Sequence, residues 1–258
     1  MRLMKRILSA AAVLALSASL LVGCSSGTAS SVPVSASSAA ESTVSSVEET
    51  ASSAVDENEA AAAQLLNDLT GSYQELWPVI LADKYKQTWL DDCTALVGED
   101  NAEAAFEKLS SMVTSDVYGE DAVEAYANGG GAYFCGFTNS LAILTFDGET
   151  STISGTDKDG NVLFSHTYHY IGMEPVHGLY EFESDDADSG EFTYFFLAPD
   201  TSAETYHIEF RYGSDAEALS QYDAGEYAYW VASGISTDCD QTMIDNCIEL
   251  FCTENLAG

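Results

Sequence analysis

A chain of 258 residues with 42 acidic and 8 basic side chains carries a formal charge of −34 at pH 7. It lacks the cationic surface that phosphate backbones and anionic membrane faces require, so nucleic acid is disfavoured as a partner and cations are favoured. No Gly-x-Ser-x-Gly elbow, His-Glu-x-x-His or phosphate-cradling glycine loop occurs, so the chain reads as a binding protein and not as an enzyme.

Arg2, Lys5 and Arg6 precede an apolar run from Ile7 to Val22 that ends in Leu21-Val22-Gly23-Cys24. A basic start, a short Ala/Ser-rich apolar run and a small residue before cysteine describe a lipoprotein signal peptide over 1–23, cleaved before Cys24, whose thiol takes the lipid. The expected location is outside the cell, anchored to the outer face of a bacterial cytoplasmic membrane and touching it only through the lipid. Residues 24–55 are rich in Ser, Ala, Thr and Val without aromatic residues or apolar periodicity, and read as a flexible tether. The folded domain is expected over 56–258, enough chain for one core.

Helices come first. The run from Asp56 through AAAAQLLNDL is a strong helix former, broken at Thr70-Gly71. A second helix would place Tyr73, Leu76, Trp77 and Ile80 on one face with Pro78 as a kink. A third would carry Tyr85, Trp89 and Cys93, and a fourth would run from about Asn101 to Met112. After Asn128-Gly129-Gly130-Gly131 the pattern changes to seven short strands, at 132–137, 141–148, 151–157, 161–172, 178–184, 191–198 and 205–213, separated by turn residues. Such a meander can close into a barrel and remove its edges. The fold class is therefore α+β, a helical N-terminal part, an antiparallel barrel and a C-terminal helix.

The last strand carries the most chemistry. Its alternation puts Thr205, His207, Glu209 and Arg211 on one face and Tyr206, Ile208, Phe210 and Tyr212 on the other. An imidazole beside a carboxylate is the beginning of a metal or polar-ligand site. The run Thr205 to Phe210, followed by Gly213-Ser214-Asp215 and a helical AEAL, resembles the His-aromatic-His strand of the ZinT/YodA family of zinc-binding proteins, a family also found as the C-terminal domain of some zinc-binding lipoproteins. GSYQELWPVIL (71–81), HTYHYIG (166–172), GLYEFES (178–184) and YAYWVASGI (227–235) resemble further segments of that family in the same order, covering about 69–252. The resemblance implies a calycin-like (lipocalin-type) barrel with zinc at its mouth, zinc capture or buffering for uptake, and delivery to the binding protein of a zinc ABC transporter.

The chain departs from the family where the ligands lie. Thr205 stands where the family has the first histidine of its pair, and Leu197 to Asp200 offer no imidazole for the third. The family's disulfide would join the strands matching His166 and Ser184, neither of which is cysteine here. If a zinc site persists, His207 and Glu209 hold it, completed by His169, His177 or a carboxylate such as Asp200, since zinc takes about four donors. His166 and His169, three apart on a strand, face opposite sides, so at most one could join His207 inside. The alternative reading is a calycin-like module that has lost zinc and takes another small ligand at an aromatic barrel mouth. The acidic run Glu183 to Asp188 lacks calcium-loop spacing and reads as a solvated loop. Five cysteines besides Cys24 form no Cys-x-x-Cys, and buried thiols are their expected state.

Overall fold

The computed structural model describes residues 57–128, 131–199 and 207–257. The signal peptide, Cys24, the tether and Asp200 lie outside the described residues. A helix α1 spans 57–68. It is followed by β1 (Gly71–Glu75), α2 (Leu76–Ile80), α3 (Lys86–Val97), α4 (Glu99–Ser111) and α5 (Glu120–Ala127). Then come β2 (Ile143–Asp147), β3 (Thr152–Thr156), β4 (Val162–Met173), β5 (Tyr180–Ser184), β6 (Tyr194–Leu197) and β7 (His207–Gly213). The chain ends with α6 (Ala216–Leu219), β8 (Ala232–Ser236) and α7 (Gln241–Leu256).

The eight strands pair antiparallel in sequence order and close when β8 meets β1, with Tyr73 opposite Ser236 and Glu75 opposite Gly234. Closure leaves no sheet edge to template aggregation. Two expectations are corrected. The stretch at 71–81, expected to be one helix, starts as a barrel strand. Tyr73 packs edge-on against Phe146 at 5.8 Å inside the barrel, and only Leu76 onward turns helical to reach the layer outside. The stretch at 132–137, expected to be a strand, makes only isolated bridges through Phe134. It serves as a strap instead: the Phe134 N–H donates to Tyr229 O, the Val231 N–H to Phe134 O and the Trp230 indole to Gly136 O.

Two apolar cores result. The first fills the lumen. Phe195 lies at its centre, 5.4 Å from the rings of Tyr168 and Tyr212 and 5.9 Å from Phe164. Ala62, Leu65, Leu66 and Leu69 bring α1 onto this core at helical spacing. At the strap, Phe137 joins the lumen core while its N–H is held by the Glu75 carboxylate at 2.6 Å. Each buried aromatic or aliphatic side chain contributes about 1.5–3 kcal/mol relative to exposure. The second core lies outside the barrel, where α2, α3, α4 and α7 cover Ile235. Phe251 of α7 stands edge-on to Trp77 at 4.8 Å and to Trp89 at 6.0 Å, and the Trp89 indole N–H is satisfied by Ile80 O at 2.8 Å.

Local sequence explains the joins. Gly98, at φ 83°, ends α3 in a conformation that a side chain would resist and lets α4 fold back at once. Asp240 caps α7 by accepting from the Met243 N–H, and Asp215 caps α6. In the β3–β4 turn the Asp157 carboxylate accepts from the Asn161 side-chain amide and from the N–H groups of Asn161 and Asp159, which holds it below the usual carboxylate range.

Candidate functional site

β7 is buried along both faces, which decides what its alternation means. Ile208, Phe210 and Tyr212 enter the aromatic lumen, where Tyr212 stands 5.6 Å from Phe192. The opposite face, carrying His207, Glu209 and Arg211, is turned outward and covered by helices. His207 lies opposite Ile235, a residue of the outer core, and Glu209 opposite Ser233. The expectation that His207 points inside the barrel is therefore corrected: the lumen takes the apolar face because its other walls are aromatic, and the polar face is left for the helical layer.

That layer encloses a small, mostly apolar chamber into which the polar face of β7 projects. His207 and Glu209 line a cavity of about 10 Å³ together with Leu76, Trp77, Ile80 and Cys247, room for one water-sized occupant. Its chemistry is mixed. Burial depresses the His207 imidazole to about 4, so it is neutral at pH 7. Burial, with the Glu209 charge adding to it, pushes the Cys247 thiol up to about 12. Burial and Glu209 raise the Cys135 thiol in the same direction. Imidazole, carboxylate and thiol are the three side-chain donor types zinc uses, although a thiol must lose its proton to serve. In this conformation no three His, Cys, Asp or Glu side chains among the described residues are placed to hold a metal ion.

The remaining sequence candidates lie elsewhere. His169 is on the exposed face of β4, its Nδ1 2.7 Å from Asp185, and His166 on the other face meets Asp186 at 2.8 Å. His177 belongs to the β4–β5 turn. Its N–H donates to the fully buried Glu174 at 2.6 Å and its ring lies 3.8 Å from that of Tyr222. Burial alone would raise the Glu174 carboxyl, but hydrogen bonds from His177 and from the N–H of Val176 hold it below its ordinary value. The structure thus brings His207 and Glu209 together and leaves His169 and His177 apart from them.

Two chamber residues escaped the sequence reading. Cys247 sits on the apolar face of α7 beside Ile244 and Phe251, a periodicity that signals burial but names no partner. Trp77 forms the wall between the chamber and a second, more open cavity of about 330 Å³, which is also lined by Glu75, Pro78, Leu81, Phe134 and Cys135. Its indole nitrogen is buried without a hydrogen-bond partner.

No family model matches the chain, and no curated protein does. Solved structures similar to it include two of one bacterial protein. The crystal structure of the Zn(II)-bound ZinT-like domain of Streptococcus pneumoniae AdcA aligns at TM-score 0.44 and 15% identity, covering 70% of this chain and 87% of that one. The crystal structure of Zn(II)-bound AdcA from the same organism aligns at TM-score 0.41 and 14% identity, again over 70% of this chain but only 34% of that one.

Proposed function

We propose that this protein is a lipid-anchored, extracytoplasmic binding protein that captures a divalent metal ion, zinc foremost, at the outer face of β7, and that it is not an enzyme. Its cargo would be buffered or handed to the binding protein of a zinc transporter. The observation that carries the reading is the convergence of a neutral imidazole, a carboxylate and a thiol, His207, Glu209 and Cys247, on one cavity the size of a single water. Cys247 would become the third donor by releasing its proton and turning toward the pair, which makes capture pH-dependent. The strongly acidic surface raises the local concentration of cations around it.

Zinc titration of the metal-free, reduced protein by calorimetry, with metal content after dialysis, tests this reading. One equivalent of zinc is expected, with proton release and an affinity that rises with pH. His207→Ala and Glu209→Gln are each expected to weaken it by about 10- to 100-fold, the scale on which loss of donors or their partners acts at metal sites. No saturable zinc, or binding indifferent to both substitutions, would overturn it.

A specific observation favours a second reading, that of a binding module for a small organic ligand. The lumen is filled by aromatic rings, and beside Trp77 lies a cavity of about 330 Å³, a size within the ordinary range for ligand sites. Trp77→Phe would alter that site, and any tryptophan fluorescence response to ligand, while sparing the zinc donors.

A further inference from the structure

Cys93 lies on α3 and Cys252 on α7, 159 residues apart in the chain, and their sulfurs stand 3.9 Å from one another. Both residues are completely buried, with Trp89, Ile248 and Phe251 in the same core. All five described cysteines are free thiols in this structure, and Cys93 and Cys252 are the pair whose sulfurs are in contact. We propose that Cys93 and Cys252 are an oxidative cross-linking site, and that the mature protein carries a disulfide clamping α7 to α3.

The geometry asks little of the fold. A disulfide places its sulfurs about 2.05 Å apart. Closing the gap from 3.9 Å therefore requires each sulfur to move by less than a bond length, which side-chain rotation can supply on two helices already in contact. The step balances as thiol–disulfide exchange with a protein or small-molecule disulfide as the oxidant. One thiolate attacks a sulfur of the oxidant and expels one of its thiolates. The thiolate of the second cysteine then attacks the protein sulfur of the mixed disulfide and expels the oxidant's remaining sulfur as a thiolate. The two thiol protons pass to the expelled thiolates, so the oxidant departs as two thiol groups.

Burial sets the timing. It raises both thiols above their ordinary range and keeps any oxidant away from them, so exchange occurs while α7 is still undocked and not in the closed protein. The same burial then protects the bond from reductants. An exported protein meets such oxidants as it folds, so the site suits the compartment expected from the leader. The cross-link leaves Cys247 free, and the metal reading does not depend on it.

The test is to unfold the full mature chain under reducing conditions and refold it in a mixture of reduced and oxidised glutathione. Free thiols are then blocked with N-ethylmaleimide in denaturant, and peptides are mapped by mass spectrometry without reduction. A dominant peptide joining Cys93 to Cys252, with Cys135, Cys239 and Cys247 blocked by the reagent, supports the proposal. Blocking of both Cys93 and Cys252, or dominant linkage of either to another cysteine, overturns it. Thermal unfolding with and without dithiothreitol supplies a second readout. The oxidised wild type is expected to lose several degrees on reduction, whereas a Cys93→Ser/Cys252→Ser chain is expected to be indifferent. If that variant fails to fold, the wild-type peptide map still decides.

Discussion

Arg211 shows at a single residue how the outer face of β7 is organised. The guanidinium is fully buried and donates to the carbonyls of Leu219, Gln221 and Tyr227, with Tyr222 stacked 4.2 Å over it. These carbonyls belong to the stretch from α6 to β8, so one side chain pins the segment that returns the chain to close the barrel. Burial lowers the arginine pKa but leaves it a cation, and only a planar fork reaches several carbonyls at once. Arg211→Met removes the donors and strands the carbonyls, at a cost of about 2–4 kcal/mol in urea unfolding. Cleavage by a protease within 216–231 should rise in parallel. A change within about 0.5 kcal/mol, typical of a surface substitution, would show that the clamp is dispensable. Alternation placed Arg211 beside His207 and Glu209 correctly. It could not say whether that face would be solvated or roofed, because the roof over His207 and Glu209 is α2 and α7, remote in sequence.

Among the elements, those whose signal is local were legible, and those defined by a distant partner were not. The hairpins from β2 to β7 announce themselves by alternation and turn chemistry, as at Asp157 to Gly160. Gly71 to Glu75 has no independent strand signal, being a strand because Phe146 on one side and Ser236 on the other complete its ladders. The reverse holds at 132–137, whose apolar alternation is used by a strap that joins no ladder of the barrel. In the same way the pair His207 and Glu209 was readable from spacing two, whereas Cys247 was not, since only packing brings α7 over β7. Helix α1 was legible as a helix but not as a plug of the barrel. Its seat is the β2–β3 turn: the Gly148 N–H donates to Thr70 Oγ1 at 3.0 Å, and a Cβ on Gly148 would lie 2.4 Å from the Asn67 Cα. Backbone cannot yield as a flexible side chain does, so Gly148→Ala should push α1 off its seat and destabilise by about 1–3 kcal/mol. Hydrogen exchange localises the effect. Amides of 57–69 should lose protection more than those of β4 or β7, and uniform loss across the barrel would contradict this role for the turn.

Across the whole molecule, the buried His207 and the half-buried Asp92 make opposite demands on pH. His207 has its folded pKa depressed to about 4 by burial. Above its unfolded value of about 6.5 the group is neutral in both states and stability is indifferent to it. Between 6.5 and 4 the unfolded chain takes a proton that the fold refuses, so stability falls on acidification, by about 3 kcal/mol over the window. Asp92 has the reverse sign. Burial first, then the charges of Glu249 and Asp245 on α7, raise it to about 6. As pH falls from that value toward its unfolded pKa the folded state is the one that binds the proton, and stability rises. Protonating other carboxylates of a chain at −34 also relieves self-repulsion. Asp92 is partly screened by solvent, so it and the relieved self-repulsion should flatten the wild-type loss of stability between pH 7 and 4.5 without reversing the sign set by His207. Two substitutions separate the contributions in urea midpoints. His207→Gln should remove the acid penalty and make the protein gain stability toward pH 4.5, whereas Asp92→Asn should expose the penalty and make it lose stability. Parallel profiles for the two variants would mean that His207 is not buried as a neutral base. The proposed metal site needs the same neutral imidazole, so a parallel result would count against that proposal as well.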